Sequence, residues 1–273
     1  MKPLPIGYQI RHSEFKLFQS LFFQHTGIAL PDYKKSLVVS RLAKRLRHFG
    51  LDSFYQYYTL LKKDKSGQGE ILQFVDQLTT HETNFFREPR HFDFLKAHIK
   101  KQFNYGKPLR IWSAACSTGQ EAYSIAMAVS EVINHENWHI MASDISSESL
   151  KKARSRLYTA KEASSIPVNQ KLAHCLMGVG ERKGLIKIKK QLLQHMQFEQ
   201  VNLSKSLPVL GRFDFIFLRN VLIYFDDAMK TEILKRVIQK LNPGGSLLLG
   251  HAESLPFNDK FTVLQPTVYQ YEG

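Results

Sequence analysis

Between residues 109 and 249 the chain breaks repeatedly into short apolar runs separated by helical or polar segments, and this alternation restricts the fold more than any other feature. The runs are Leu109–Ala114, Trp138–Ser143, Met196–Val201, Phe213–Leu218 and Gly245–Leu249. Each has the length of a strand covered on both faces, so the pattern predicts an α/β domain on a largely parallel sheet. Ligands of open sheets of this kind bind beyond the carboxyl ends of the strands, which singles out the residues that follow each run.

The first part of the chain reads differently. Phe15, Phe18, Leu21 and Phe22 recur at helical spacing within Glu14–Gln24, and a second helix follows Pro31 with Val38, Leu42, Leu46 and Phe49 as its apolar stripe. Gly50 stops it, a third helix opens at Asp52 or Ser53 and buries Phe54, Tyr57, Tyr58 and Leu61, and the polar segment Lys62–Glu70 reads as a loop before a short helix at Ile71–Leu78. The economical division is an all-α domain over residues 1–75 and a sheet domain over residues 76–273. On the second helix Arg41, Lys44, Arg45 and His48 share one arc and form a basic strip. The whole chain carries 38 Lys and Arg against 24 Asp and Glu, a formal charge of +14, which suits an acidic partner: nucleic acid, anionic lipid or an acidic protein surface. No run approaches the ~20 apolar residues of a spanning helix, so integral membrane roles are not expected. Met1–Ile10 lacks the apolar centre of a secretory signal, and Cys116 and Cys175 lack metal-ligand spacing; a cytoplasmic protein without a disulfide or metal site is expected.

The strand ends carry the chemistry. After the first run comes Ser113-Ala114-Ala115-Cys116-Ser117-Thr118-Gly119-Gln120-Glu121, whose small residues admit a ligand close to the backbone, although neither phosphate-loop nor dinucleotide glycine spacing is met. The second run ends at Asp144, near the offset of ~20 residues at which a carboxylate meets a ribose diol; capping the helix that starts near Ser146 suits Asp144 equally well. Asn202 and Leu203 follow the third run, where a side-chain amide can read an adenine edge or close a turn. Arg219 and Asn220 follow the fourth, whereas Leu241–Gly245 reads as a turn without a chemical role. Residues 163–191 exceed what one crossover needs; Ala173–Met177 and Leu185–Lys189 look like short strands, with Gly178, Gly180 and Gly184 in the turn between them.

Five ordered motifs resemble the CheR-type chemotaxis receptor methyltransferases: Thr80-His81-Glu82-Thr83-Asn84-Phe85-Phe86-Arg87-Glu88, Ile111 through Gly119, Ala142-Ser143-Asp144-Ile145, Arg219 through Asp226, and Gly250-His251-Ala252-Glu253-Ser254. Gly27-Ile28, Arg41-Leu42 and Arg45-Leu46-Arg47 are similar to the family's helical N-terminal domain. The resemblance implies a Rossmann-like S-adenosylmethionine-dependent methyltransferase sheet with a small antiparallel β insertion, preceded by an all-α domain. It implies S-adenosylmethionine as cofactor, S-adenosylhomocysteine as product, and receptor glutamates as acceptors. His81, Thr83, Arg87, Glu121, Asp144, Asn202, Leu203, Arg219 and Asn220 match the family's cofactor-contact positions, and Tyr224 matches a tyrosine near the transferred methyl. The family often has Asn at His81, Glu at Gln120 and Pro at Ala122, and the imidazole of His81 differs from an amide in shape and titration.

A glutamate with a pKa of ~4.3 is ionised at neutral pH and is already a nucleophile, so the expected catalysis is positioning at ~3 to 3.5 Å from the methyl. Arg87 is assigned to the cofactor's carboxylate or to the incoming glutamate, and Tyr224 to bonding or packing beside the methyl. The basic strip, Arg41, Lys44 and Arg45 in particular, is expected to face an acidic, helical receptor segment, a solvated surface being the plain alternative. The Gly178, Gly180 and Gly184 turn is similar to family members that dock on a receptor's C-terminal pentapeptide, and an exposed strand edge there suits strand addition. A nucleic-acid methyltransferase is disfavoured: Arg219-Asn220-Val221-Leu222 stands where amino-group methylation of bases commonly needs an Asp/Asn-Pro-Pro-aromatic turn. A non-catalytic scaffold is disfavoured because Arg87, Asp144, Asn220 and Tyr224 are intact.

Overall fold

The structure is a computed structural model that describes residues 7–63, 69–102, 107–133, 136–256 and 259–273. Most of the polar loop read at Lys62–Glu70 and the start of Met1–Ile10 lie outside the described residues. Two compact units emerge, one running to Thr80 and including Tyr224–Asp226, the other comprising His81–Ile223 and Asp227–Gly273.

The first unit holds α1 (His12–Thr26), α2 (Lys35–Phe49), α3 (Phe54–Lys63) and α4 (Glu70–Leu78). Its core is aromatic because the helical stripes are: Phe18 meets Phe54, Tyr57 and Phe74 with ring centroids 6.0, 6.1 and 5.8 Å apart. Buried Glu14 starts α1 by accepting the Arg11 amide at 2.7 Å, and its other oxygen accepts the Tyr55 amide at 3.1 Å, so one carboxylate ties two helix starts. Helix α4 runs to Leu78, past residue 75.

The second unit begins with α5 (Arg90–Gln102) and then alternates β1 (Leu109–Ser113), α6 (Gln120–Ser130), β2 (Trp138–Asp144) and α7 (Ser147–Ser155). A small sheet follows, made of β3 (Leu157–Thr159), β4 (Cys175–Met177) and β5 (Leu185–Ile188), with α8 (Val168–His174) leading into β4. The main sheet resumes with β6 (Met196–Gln200), β7 (Phe213–Leu218), α9 (Asp227–Ile238), β8 (Leu241–Leu249), β9 (Phe261–Gln265) and β10 (Val268–Tyr271). Its order is β6-β2-β1-β7-β8-β10-β9, parallel except for β10, which runs antiparallel to β8 and β9. The core lies between this sheet and its helices, with Ala122 through Val129 of α6 buried almost without interruption.

Two readings of the sequence are corrected. Leu241–Gly245 is not a turn ahead of the strand; β8 starts at Leu241, pairs with Phe213, and bulges before Ser246 pairs with Phe215. Pro243, which has no amide hydrogen, is tolerated in that bulge. The β9–β10 hairpin was not read at all, because its turn places Thr267 at φ 62°, a conformation normally signalled by Gly or Asn. The small sheet also takes in β3, ahead of residue 163, and has the antiparallel order β3-β5-β4.

Candidate active site

From β1 the parallel strands proceed to β2 and β6 on one side, and from β7 to β8 on the other. The carboxyl ends of β1 and β7 therefore flank the switch point, where such sheets form their ligand crevice. Most of the residues singled out in the sequence stand on the loops around it.

The β1–α6 loop is held from below and from both sides. Cys116 N donates to Ser143 O at 2.8 Å, Ser117 Oγ to His81 O at 3.2 Å, and the buried Tyr158 of β3 donates its hydroxyl to Thr118 O at 2.7 Å. Asp144 accepts the Ser117 amide on Oδ2 at 2.8 Å and the Ser146 amide on Oδ1 at 2.9 Å. Capping α7 falls to Ser146, whose side chain accepts the Ser149 amide at 3.1 Å, so the helix-cap alternative for Asp144 is set aside. A carboxylate has about four acceptor positions, enough to clamp two loops and still serve a diol. His81 Nδ1 lies 3.0 Å from Ser149 Oγ in the first turn of α7. Thr83, half-buried, follows on the same segment.

A buried ionic chain runs behind the loops. Glu121, in the first turn of α6, accepts Ser113 Oγ at 2.7 Å and Arg219 Nη1 at 3.1 Å; burial pushes its carboxyl upward against the pull of Arg219. Arg219 has a side chain only 1% exposed, reaches Glu88 Oε2 at 3.2 Å, donates to Arg87 O, and stands over the Phe92 ring at 5.8 Å. Arg219 is thus enclosed by two carboxylates, and its Nε finds no hydrogen-bond partner among the described residues. Burial works against the charge on Glu88, yet His251 Nδ1 at 3.0 Å and the Arg219 guanidinium outweigh it and hold its carboxyl down at about 2. Arg87 differs from Arg219: its side chain is 34% exposed, with Nη1 3.5 Å from Glu82 O. Phe86 and Glu88 on either side take φ 52° and 57°, and Ser117 and Asn220 take 49° and 56°. Left-handed backbone in a non-glycine residue costs of the order of 1 kcal/mol or more; Ser117 and Asn220 adopt it on loops after β1 and β7, and Phe86 and Glu88 on the segment ahead of α5.

Asn220 donates its amide to Glu253 Oε2 at 2.8 Å, and its Nδ2 lies 3.4 Å from Glu88 Oε1. Glu253, quoted above only as part of a motif, is the residue that sequence reasoning left without a role. It is buried after β8 and accepts four backbone amides, a cluster that no local pattern announces. Asn202 Oδ1 accepts the Ser204 amide at 3.0 Å and its hydroxyl at 2.7 Å, so the turn reading describes its oxygen, while Leu203 is buried. Tyr224 ends a 3-10 turn over Leu222–Tyr224, is half-buried, and belongs to the segment grouped with the helical unit.

The candidate substrate residues divide. Arg41 donates Nη1 to Gln77 O and Thr79 O at 3.1 and 2.8 Å, closing the end of α4. Arg45 forms a two-pronged pair with Glu70, its Nε at 2.7 Å from Oε1, and Tyr57 adds its hydroxyl at 2.6 Å. Burial, then the Glu70 bond, pushes the Tyr57 phenol upward, so it stays a neutral donor. The continuous basic strip is thereby corrected: Arg41 and Arg45 are drawn into the unit's own packing, whereas Lys44, Arg47 and His48 are exposed. Gly178 meets a demand of the turn itself, since a Cβ there would sit 2.0 Å from Arg182 O, and Gly180 and Gly184 take positive φ.

Comparison with known proteins completes the picture. The family profile "CheR methyltransferase, SAM binding domain" matches residues 81–270, and "CheR methyltransferase, all-alpha domain" matches residues 13–79. The chain belongs to the CheR methyltransferase family. It is 39% identical over 261 residues to the chemotaxis protein methyltransferase of Escherichia coli, covering 94% of this chain and 90% of that protein. Chemotaxis protein methyltransferase 2 of Pseudomonas aeruginosa is 38% identical over 259 residues, covering 92% and 91%. Among solved structures the chain is similar to a SAM-dependent methyltransferase from Methanosarcina mazei, at 21% identity and TM-score 0.33 over 56% of this chain and 55% of that one. As a member of the family it is an S-adenosylmethionine-dependent methyltransferase acting in chemotaxis, with a Rossmann-like sheet, a small antiparallel insertion and an all-α N-terminal domain. No helix among the described residues is long and apolar enough to cross a membrane.

The donor set suits this cofactor. An amino-acid zwitterion, a sulfonium and a ribose call for a reachable guanidinium and for carboxylates fixed in low-dielectric surroundings. Arg87 is partly exposed, Asp144 is buried, and Glu121 has a side chain 12% exposed; both carboxylates are hydrogen-bonded at the switch point.

Proposed function

We propose that the chain esterifies glutamate side chains of chemotaxis receptors, using S-adenosylmethionine as methyl donor. The observation that carries this reading is the contrast between two neighbouring arginines at the switch point: Arg219 is enclosed by carboxylates, while Arg87 keeps a third of its side chain exposed. A reachable guanidinium there gives a carboxylate a seat, in its paired hydrogen-bonding geometry. S-adenosylmethionine, when bound, supplies an electrophilic methyl group on a cationic sulfur. Arg87 binds the donor's carboxylate or aligns the acceptor's, Asp144 holds the diol, Asn202 and Leu203 border the base, and Tyr224 packs beside the acceptor. An ionised glutamate needs no proton removed, so orientation and exclusion of water are the protein's contribution.

Two surfaces support receptor docking. On the helical unit, exposed Lys44, Arg47 and His48 present positive charge to an acidic receptor helix. In the small sheet β5 lies between β3 and β4, so β4 is an edge strand, with Leu176 and Met177 54% and 61% exposed. A receptor tail adding as a further strand would be tethered there and raise the local concentration of acceptor glutamates.

The test is incubation with methyl-labelled S-adenosylmethionine and receptor cytoplasmic fragments, with and without their C-terminal tails. Base-labile label on glutamate, reduced when the tail is removed, is the expected result. Label on nucleic acid, or donor binding without transfer to any fragment, overturns the reading.

A further inference from the structure

The Arg219–Leu222 segment after β7 and the turn after β8 are joined through one side chain. Gly250 to Glu253 forms a tight turn, with Glu253 N donating to Gly250 O at 2.9 Å, and the Glu253 carboxylate curls back over it. Oε2 accepts Gly250 N at 2.7 Å and Asn220 N at 2.8 Å; Oε1 accepts Val221 N at 2.9 Å and Leu222 N at 2.7 Å. Three successive amides converging on one buried carboxylate fix the direction of the peptide planes, and Asn220 is thereby held at φ 56°. From the other side Glu88 Oε1 stands 3.4 Å from Asn220 Nδ2. The two carboxylates occupy the backbone amide of Asn220 and one of the two hydrogens of its side-chain NH2, which leaves the amide oxygen and the second N–H for a ligand. Gly250 completes the enclosure: a Cβ there would lie 2.4 Å from Asn220 Nδ2 and 2.8 Å from Asn220 N.

The geometry points to Glu253 as the positioning residue of the methyl-donor site: it fixes Asn220 in a left-handed conformation so that the Asn220 side chain meets the bound cofactor in one orientation. Glu253 touches neither donor nor acceptor in this assignment; it acts through Asn220. The inference rests on the reading of Asn220 as a cofactor contact, and it selects donor binding, rather than receptor binding, as the quantity Glu253 controls. A carboxylate is required because four N–H groups must all find acceptors. Glutamine keeps one oxygen and turns an NH2 group toward the remaining donors.

A double-mutant cycle on the full chain tests it. Wild type, Glu253→Gln, Asn220→Ala and the pair are titrated calorimetrically with S-adenosylhomocysteine, and the KM for S-adenosylmethionine and for a receptor fragment are measured separately, with thermal unfolding in parallel. Glu253→Gln is expected to weaken cofactor binding by about tenfold and raise the donor KM by a similar factor, with the receptor KM within about twofold of wild type. In the Asn220→Ala background the same change is expected to cost less than about twofold. Equal losses in both backgrounds, or undiminished cofactor binding by Glu253→Gln, overturn the proposal. Wild-type affinity in Asn220→Ala alone overturns it differently, by removing the reading of Asn220 on which it rests. Gly250→Ala is the second variant: its Cβ presses on Asn220 and on Glu253 Oε2, at 2.8 Å, with the charge of Glu253 retained, and it is expected to raise the donor KM in the same way. A folded Gly250→Ala chain with wild-type cofactor affinity also overturns the assignment.

Discussion

Asp144 and Glu253 have the same physical task in different loops: each buried carboxylate gathers backbone amides and so decides where a strand-end loop points. Asp144→Asn keeps the shape and loses one acceptor oxygen, so the Ser117 or the Ser146 amide must go without its partner. We expect cofactor affinity to drop about tenfold, ~1.4 kcal/mol, in calorimetry with S-adenosylhomocysteine. The neighbouring His91 sets an acid limit. Burial, and then the Arg219 charge, holds its imidazole down at about 4, against an ordinary value of 6.5. Its Nε2 lies 2.9 Å from Thr267 Oγ1, and that hydroxyl donates onward to Pro266 O, which fixes the neutral ring with Nε2 as donor. Below pH 6.5 the unfolded chain takes up a proton that the folded chain refuses, so this contribution to stability is full above 6.5 and declines as the pH falls toward 4. Glu88, held down at about 2, adds a second loss as the pH falls from about 4.5 through 2. The unfolding midpoint is expected to fall between pH 7 and pH ~4.5, with a shallower slope in His91→Gln.

Within helix α2 neighbouring cations have opposite fates. Arg45, 19% exposed, satisfies the Glu70 carboxylate that Tyr57 also engages, whereas Lys44 projects to solvent. Arg45→Ala leaves a largely buried carboxylate without its cation and is expected to cost about 2 kcal/mol or more in urea unfolding. Lys44→Ala is expected to stay within about 0.5 kcal/mol of wild-type stability while slowing methylation of an acidic receptor fragment. The heptad-like pattern of α2 showed which residues share a basic arc, but not that Glu70 and the end of α4 claim two of them. Those partners lie 25 and 36 residues away, beyond the reach of helical periodicity. Elements with strong periodicity, α1 through α4 and the five parallel strands, were legible. The β9–β10 hairpin was not, since Val263 and Leu264 are exposed where a buried strand would alternate, and a threonine occupies its left-handed turn position.

For the whole molecule the formal charge of +14 acts at long range on an acidic partner and hardly at all on a cofactor held by buried groups. Raising ionic strength from ~0.05 to ~0.3 M is expected to lower kcat/KM for a receptor fragment severalfold, since the Debye length is ~10 Å at 0.1 M, with cofactor affinity little changed. Stopped or initial-rate assays at fixed donor concentration compare the two directly.

By itself the sequence determined the two-part layout, the strand ends that matter and the family, because apolar periodicity and contiguous motifs are local properties of a chain. Asp144 at a strand end, the Arg87 segment and Asn220 after the fourth run were all found that way. What only the tertiary structure decided is which of these groups stay exposed and which are enclosed and hold others in place. Arg219 and Arg87 look alike on paper, yet folding encloses one between Glu88 and Glu121 and leaves the other a third exposed. Glu253 shows why: its four amide donors include Asn220, 33 residues away along the chain, and hydrogen-bond satisfaction in a buried site is a property of the assembled loops, not of any segment read alone.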